Sequence, residues 1–438
     1  MHKAQDIKEL KKSQISILKK VREHIKFFDK TNHQINSYLP LGNYAGLALL
    51  KYWVNPFKNI FYRFKITIKE IYLLSFERNF VIQKKIISNN NKNIIITWGN
   101  KETFNSKGDY FDKYYNTNSK KLKNTLWIVL STDLKKIKKI KNNIIVLYHH
   151  KKKFLYIEFI KNFLRITYWK NLNFSHESIV AKKIWETINK FIFFSIKNIY
   201  MPYEGQQFQN YIIKRCHEKN LKIKIHGYIH SFPLGLPSNL AYTKNSPHRL
   251  FVNGFYQKKY LCQYLNWHKK KIIIHKSLRF SKKKKMNCQI FLPYYLGNSN
   301  FVLEKLHELK NHVSFTSIFN CLLVKNHPAT KNSILHCELI EKIKKNIIKK
   351  NEFIKTNNFS IFIGCSGAII EALVRGVKVI HISSEPILEI YSSMWKFLSV
   401  TEIIKNVYIY KIKDGINKNN IIWMGEQKNL LNKYFLKN

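Results

Sequence analysis

Cysteine pairs and long apolar stretches are missing from this chain of 438 residues. Its six cysteines are scattered without any CxxC spacing, which argues against a zinc site and a disulfide framework and is typical of a reducing compartment. No run of 18 or more apolar residues is free of charge, so we expect no transmembrane helix. The opening residues are polar and charged, unlike a signal peptide. These absences predict a cytoplasmic protein.

Acidic residues and arginine are also scarce. Lysine and arginine total 77 against 26 acidic residues, which gives a formal net charge of +51. Nearly all of the excess is lysine, mixed evenly with Ile and Asn in the manner of an A/T-rich codon bias. Because arginine is the residue that reads bases, its scarcity argues against a specific nucleic-acid partner. An anionic surface, such as the inner face of the cell membrane, is a more plausible partner, at about 1 kcal/mol per basic residue.

The hydrophobic pattern divides the chain into four parts. Residues 1–87 are predicted to be a helical region, in which the apolar stretch at 35–64 is either a buried helix or an interfacial one. From 88 to 265, short β-branched runs alternate with amphipathic helices, the pattern of a parallel sheet covered on both faces. A lysine-rich linker is predicted at 266–287, and the alternation resumes over 288–438. We therefore predict an α/β fold with two Rossmann-like domains that face a cleft, where ligands of such folds bind.

Two stretches of the second domain predict a phosphate site. In "KNHP", Lys325 and His327 come at the carboxyl end of a predicted strand, and Pro328 ends that strand. These two side chains suit a phosphate, although a lone strand-end histidine more often has a local partner.

The second stretch, "GCSGAIIEALVRG", is predicted to form a strand-to-helix turn. Ser366 either caps the helix that begins near Gly367 or bonds a phosphate oxygen, and Gly367 permits close backbone approach. Glu371, one turn later, meets a ribose or an amine, or pairs with a nearby lysine.

Together, "KNHP" and "GCSGAIIEALVRGVKVIHIS" resemble the C-terminal donor domain of GT-B glycosyltransferases over about residues 290–400. The likeness is strongest to bacterial surface-polysaccharide enzymes with a His-Pro motif and a serine motif, such as sialyltransferases and polysialyltransferases, which use CMP-activated sugars. The resemblance implies GT-B architecture, a nucleotide-sugar donor as substrate, and a glycan or glycolipid acceptor of capsule or lipopolysaccharide type. UDP-GlcNAc 2-epimerases share the fold, but their paired glycines and paired glutamates are replaced here by Gly367-Ala368 and a single Glu371. A glycerophosphotransferase of the same fold is a further alternative.

The first domain contributes the candidate acid–base groups. Glu204 follows a predicted strand and precedes a helix, and His230 follows the next strand, so both are expected to face the cleft. The stretches "YEGQ" and "GYIHS" resemble the N-domain of the same enzymes, which implies Glu204 or His230 as general base. The alternative is that Glu204 only caps the following helix.

Two aspartates after the first strand of this domain are candidate acceptor ligands. Asp109 and Asp112 suit sugar hydroxyls, but turns favour aspartate for backbone reasons, and this second interpretation is preferred. No DxD pair suited to a divalent cation stands out, so neither a metal nor a cofactor is predicted.

Overall fold

A computed structural model describes the chain in segments. They are residues 68, 71–84, 91–122, 124–131, 137–164, 176–192, 196–219, 221–232, 240, 242–280, 289–293, 296, 298–312, 314–315, 319, 323–327, 330, 333–348, 359–364, 366–383 and 397–425. The predicted interfacial segment 35–64 lies outside these residues. No helix among those described is long and apolar enough to cross a membrane.

Eight strands form the first sheet. In chain order they are β1 (Phe76–Lys84), β2 (Asn93–Gly99), β5 (Thr125–Ser131), β6 (Ile144–Phe154), β7 (Asn198–Pro202), β8 (Lys224–Tyr228), β9 (Arg249–Val252) and β10 (Ile272–Ile274). A small separate ladder joins β3 (Phe111–Asp112) and β4 (Thr117–Asn118). The order across the sheet is β1-β6-β5-β2-β7-β8-β9-β10, and only the β1–β6 pair is antiparallel. Outward from β2 this is the doubly wound order, whose topological switch point lies between β2 and β7.

The central strands are apolar on both sides because both faces of the sheet are covered. Every residue of β5 is buried, and its side chains alternate between two hydrophobic clusters, as the period of two in a strand requires. The helices that accompany this sheet are α1 (Tyr156–Leu164), α2 (His176–Ile192), α3 (Gln207–Glu218) and α4 (Phe255–Tyr264). Trp185 of α2 and Ile212 of α3 lie in one of the two clusters.

Six strands form the second sheet, which follows the same logic on a smaller scale. They are β11 (Gln289–Phe291), β12 (Leu323–Lys325), β13 (Phe359–Ile363), β14 (Lys378–Ile382), β15 (Leu398–Ile404) and β16 (Val407–Ile412). The order is β12-β11-β13-β14-β16-β15, with the first four parallel and the last two added as an antiparallel hairpin. Its switch point lies between β11 and β13. The helices are α5 (Ser299–Asn311), α6 (Ile334–Asn346), α7 (Ala368–Val374) and α8 (Lys418–Ile421).

The last described segment of the chain returns to the first sheet. Trp423 donates its backbone N–H to the Asn253 carbonyl at 2.6 Å and accepts at its own carbonyl from Ser277 at 2.7 Å. A Cβ atom on Gly254 would overlap the Ile421 carbonyl, so α8 approaches this turn as closely as glycine permits. The two sheets are therefore joined at this crossing as well as in sequence.

Two of the predicted segment types are corrected by the structure. Within the predicted helical region 1–87, residues Phe76–Lys84 form β1, because the long strand β6 offers an edge along which the whole segment pairs. Within the predicted linker 266–287, three consecutive isoleucines form β10 and pair in parallel with β9. The β15–β16 hairpin was also not predicted from the sequence.

Candidate active site

Glu204 and His230 lie together at the carboxyl edge of the first sheet. Glu204 follows β7 by two residues and His230 follows β8 by two, and these strands are parallel neighbours. His230 Nε2 is 3.4 Å from Glu204 Oε1. The pair therefore stands beside the switch point of the first sheet, where open α/β folds bind ligands.

A buried glutamine holds the loop that carries Glu204. The Gln209 side-chain oxygen accepts from the backbone N–H groups of Glu204 and Gln206 at 3.0 Å each, and its amide donates to the Pro202 carbonyl at 2.6 Å. Gln206, not Glu204, is the N-cap residue of α3, so the alternative in which Glu204 only caps this helix is not supported. The Gln206 amide donates to Glu204 Oε2 at 2.8 Å and orients the carboxylate.

His230 is almost fully enclosed. Its side chain is 6% exposed, and the ring of Tyr114 packs edge-on against it with centroids 4.6 Å apart. Within the described part of the chain, His230 Nδ1 is buried without a hydrogen-bond partner. Burial, assisted by the positive charge of Arg279, lowers the pKa of His230 well below its ordinary value, so the imidazole is neutral near pH 7.

The carboxylate of Glu204 is the member of the pair that reaches solvent. Its side chain is 39% exposed, against 6% for His230. Burial raises the pKa of Glu204, while the Gln206 hydrogen bond and the charge of Arg279 oppose that shift. A partly buried carboxylate whose pKa is raised toward neutrality, next to a neutral imidazole, has the properties of a general base.

Asp112 has a structural role that supports this pair. Its carboxylate is fully buried and accepts from the hydroxyls of Thr97 and Tyr110 at 2.6 and 3.0 Å. It also accepts from the backbone N–H groups of Tyr114 and Tyr115 at 2.8 and 2.6 Å. With its oxygens enclosed in this way, Asp112 does not offer the acceptor contact considered above. Instead it shapes the turn that places Tyr114 against His230.

Asp109 is likewise engaged inside the protein. Its carboxylate lies 2.9 Å from Lys141 Nζ and accepts from the Asn105 amide at 3.1 Å. The Lys141 hydrogen bond is the largest cause that lowers the pKa of Asp109. These contacts favour the loop interpretation for both aspartates.

Ser366 and Gly367 connect the second sheet to this site. They follow β13 at the switch point of the second sheet, and Ser366 Oγ accepts a long hydrogen bond of 3.3 Å from the Ala368 N–H. A Cβ on Gly367 would lie 2.6 Å from the carbonyl oxygen of Phe232, only two residues after His230. The loop after β8 therefore leaves no room for a side chain at Gly367. The phosphate contact predicted for Gly367 stays a prediction.

Lys325 and His327 lie at the carboxyl edge of the second sheet, two strands away from Ser366. Strands β12 and β13 flank β11, so the ends of β12 and β13 are about 10 Å apart. Lys325 is exposed, with Nζ 5.5 Å from the centroid of the Phe291 ring, and His327 is half-buried. Burial, and then the nearby His336, lower the pKa of His327. Pro328 lies outside the described residues.

Glu371 has a partner within its own helix. Arg375 donates to Glu371 Oε1 from two nitrogens, at 2.9 and 3.1 Å, and both side chains are mostly buried. The pairing alternative is therefore the observed one, with an arginine in place of the expected lysine.

Arg279 is a residue of this region that sequence reasoning missed, because it falls in the predicted linker. It is exposed, and its charge acts on Glu204, His230 and Tyr114. A usable signal was its rarity, since the chain contains only eight arginines.

Comparisons with known proteins find matches among solved structures only. No protein family and no curated protein matches this sequence. Nine solved chains match it, and one is a glycosyltransferase from Rickettsia africae ESF-5. That chain is 12% identical, with a TM-score of 0.30, over 67% of this chain and 80% of its own. Among the described residues, no three His, Cys, Asp or Glu side chains group as a metal site.

Proposed function

We propose that this protein is a glycosyltransferase that moves a sugar from a nucleotide-activated donor to a hydroxyl group of a glycan or glycolipid. The observation that carries the proposal is the contact between Phe232 and Gly367. It brings the switch points of two parallel sheets together, with Glu204 and His230 on one side and Ser366 on the other. Two Rossmann-like units that meet at these edges form the cleft of GT-B architecture, which we include in the proposal.

The transfer assigns one role to each side of the cleft. The Glu204 carboxylate removes the proton from the acceptor hydroxyl, whose oxygen then forms a bond to the anomeric carbon. The bond from that carbon to the donor phosphate breaks, and the nucleotide leaves with the electron pair. His230 holds the carboxylate in place, a role that its burial and the 3.4 Å separation of its Nε2 from Glu204 Oε1 support.

The second edge would hold the departing phosphate. Lys325 is an exposed cation, His327 a half-buried imidazole, and Ser366 a half-buried hydroxyl, and all three lie at or just after the carboxyl ends of the parallel strands β12 and β13. Fixed groups of this kind at a site of developing charge contribute more than they do in water. We propose that these side chains take the place of a metal ion.

The donor class and the setting are extensions of the same proposal. The serine and His-Pro motifs favour a CMP-linked sugar and an acceptor of surface-polysaccharide type. A cytoplasmic protein that associates with the inner face of the cell membrane would meet such an acceptor, and the excess of lysine supports attraction to anionic lipid.

A donor panel with two site variants tests the proposal. The purified chain is incubated with CMP-, UDP-, GDP- and CDP-linked sugars, with and without a mixture of glycan acceptors, and nucleotide release is measured. We expect release with one nucleotide class. We expect Glu204→Gln to bind that nucleotide normally but to turn over about 10²–10⁴-fold more slowly, because it cannot accept the proton. We expect His327→Ala to weaken nucleotide binding.

Two matched controls make the result specific. Glu218→Gln removes an exposed carboxylate of α3 that pairs with Arg215 at 2.6 Å, and His307→Ala removes an exposed histidine of α5. Both should retain wild-type turnover and binding. Epimerisation of a sugar without acceptor would replace the transferase by an epimerase, and release of cytidine phosphate only from CDP-glycerol would indicate a glycerophosphotransferase. Unchanged turnover in Glu204→Gln would remove Glu204 from the base role.

A further inference from the structure

The backbone around Arg279 is held from two directions. Leu278 donates its N–H to the Tyr228 hydroxyl at 3.0 Å, and Phe280 donates to Ser277 Oγ at 2.9 Å. On the other side, Gly425 of the returning chain donates to the Phe280 carbonyl at 3.0 Å. Arg279 is nonetheless exposed, although both of its neighbours are buried. A fixed backbone thus presents an exposed guanidinium at the crossing between the sheets.

These anchors tie the backbone around Arg279 to the strand that leads to the candidate base. The Tyr228 hydroxyl that holds Leu278 belongs to the last residue of β8, and His230 follows that residue by two. The guanidinium charge acts on Glu204, on His230 and on Tyr114, the three side chains that contact or adjoin one another at this edge. Among the described residues, the guanidinium lies over the Phe280 ring, with Cζ 5.5 Å from the ring centroid.

Two other arginines are ion-paired with a glutamate of their own helix, whereas Arg279 has no such partner among the described residues. Arg215 lies 2.6 Å from Glu218 and Arg375 lies 2.9 Å from Glu371. Among the described residues, no carboxylate lies within ion-pair distance of Arg279. In a chain that uses lysine for nearly every positive charge, a planar guanidinium stands here, and its paired N–H groups match the two oxygens of a phosphate or carboxylate.

We infer that Arg279 binds an oxyanion of the substrate next to the Glu204–His230 pair. The assignment of that oxyanion to a sugar-transfer substrate rests on the proposed function, whereas the binding site itself does not. Two sources share this chemistry: the phosphates of the nucleotide donor and the carboxylate of an acidic sugar. In either case the bound anion fixes the substrate relative to Glu204 before the proton moves.

Arg249 provides a matched control on the same sheet. It is also exposed, and among the described residues it too has no ion pair, but it is the first residue of β9 and so lies at the opposite, amino-terminal edge. Arg279→Gln and Arg249→Gln make the same change in net charge. Arg279→Lys keeps the charge but removes the planar pair of donors.

The test is a binding titration on the full-length chain, which needs no turnover. The probes are pyrophosphate for the phosphate source, and glucuronate against glucose for the carboxylate source. We expect one of the two anions to bind, Arg279→Gln to weaken it tenfold or more, Arg279→Lys to weaken it less, and Arg249→Gln to stay within twofold. Thermal unfolding of each variant checks that the fold is kept.

The outcomes separate this inference from the proposed function. If Arg249→Gln weakens anion binding as much as Arg279→Gln does, the effect is one of net charge and the site is overturned. Full binding of both anions to Arg279→Gln would overturn it as well. If no nucleotide is released from any donor while Arg279-dependent anion binding persists, the transferase proposal fails and the oxyanion site stands. If sugar transfer occurs but the binding of neither anion depends on Arg279, the oxyanion site fails and the transferase proposal stands.

Discussion

His230 and His381 are two buried histidines near the carboxyl edges of the first and the second sheet, and they differ in how fully their ring nitrogens are hydrogen-bonded. His381, on β14, accepts from the Tyr410 hydroxyl at 3.0 Å and donates to the Gly364 carbonyl at 2.7 Å, so both ring nitrogens are satisfied. His230 faces Glu204 at 3.4 Å, and its Nδ1 has no partner within the described chain. Burial lowers the pKa of both.

We interpret His381 as a histidine that maintains the fold and propose that His230 is positioned for chemistry. A satisfied buried ring fixes the turn after β13, which leads to Ser366. An incompletely satisfied ring beside a half-exposed carboxylate costs stability, and such costs are concentrated where a protein acts on a ligand. The carboxyl edges of the two sheets differ in the same way. The edge of the first sheet carries the oriented Glu204–His230 pair, whereas the candidate side chains at the edge of the second sheet are more exposed and would be brought together by a bound ligand.

The largest expected effect is the loss of turnover when His230 is replaced. His230→Gln removes the ring that orients Glu204, and we expect the turnover number to fall about 10²-fold or more. In the wild type, activity should rise with pH as Glu204 loses its proton, because the carboxylate is the proposed base and its pKa is raised. The measurement is the pH profile of turnover, and in His230→Gln its midpoint should move. A fall in activity with an unmoved midpoint would make His230 a merely structural residue.

Replacing His381 should change the stability of the protein and not its turnover. Burial lowers the pKa of His381 to about 4, so between pH 6.5 and pH 4 the unfolded chain takes up a proton that the folded chain does not. Stability is therefore full above pH 6.5 and lost as pH falls, by up to about 3 kcal/mol from this group. In urea unfolding, His381→Gln should be less stable at pH 7 but lose less stability on acidification. An unchanged pH slope would contradict this account.

A smaller effect is expected where the two edges meet. Gly367→Ala places a methyl group 2.6 Å from the Phe232 carbonyl, so one loop must move, at a cost of about 1–3 kcal/mol. Because that loop also carries His230, turnover should fall as well. Gly376→Ala is the control: nothing lies within 4 Å, and its positive φ of 81° costs about 1 kcal/mol without reaching the site. Equal turnover in both variants would separate the Phe232 contact from catalysis.

Much of the strand and helix content could be predicted from local patterns. The fully buried run Thr125–Ser131 and the five residues Asn198–Pro202 form strands within the alternation predicted over 88–265, because continuous apolar runs between turns have few alternatives. Strand β1 could not be predicted, since its pairing depends on β6, about seventy residues later. The approach of His230 to Glu204 was expected from adjacent strand ends, whereas the engagement of Asp112 by four donors was not visible in sequence.

The sequence by itself determined the alternation of strands and helices, the glycines and prolines that end them, and the residue types at each strand end. These follow from backbone preferences and side-chain burial, which act over a few residues. Only the tertiary structure decided that Glu371 pairs with Arg375, that Gly367 receives the Phe232 carbonyl, and that the Tyr228 hydroxyl holds the backbone next to Arg279. Such choices depend on which surfaces meet when two sheets pack, and packing joins residues that no local pattern relates.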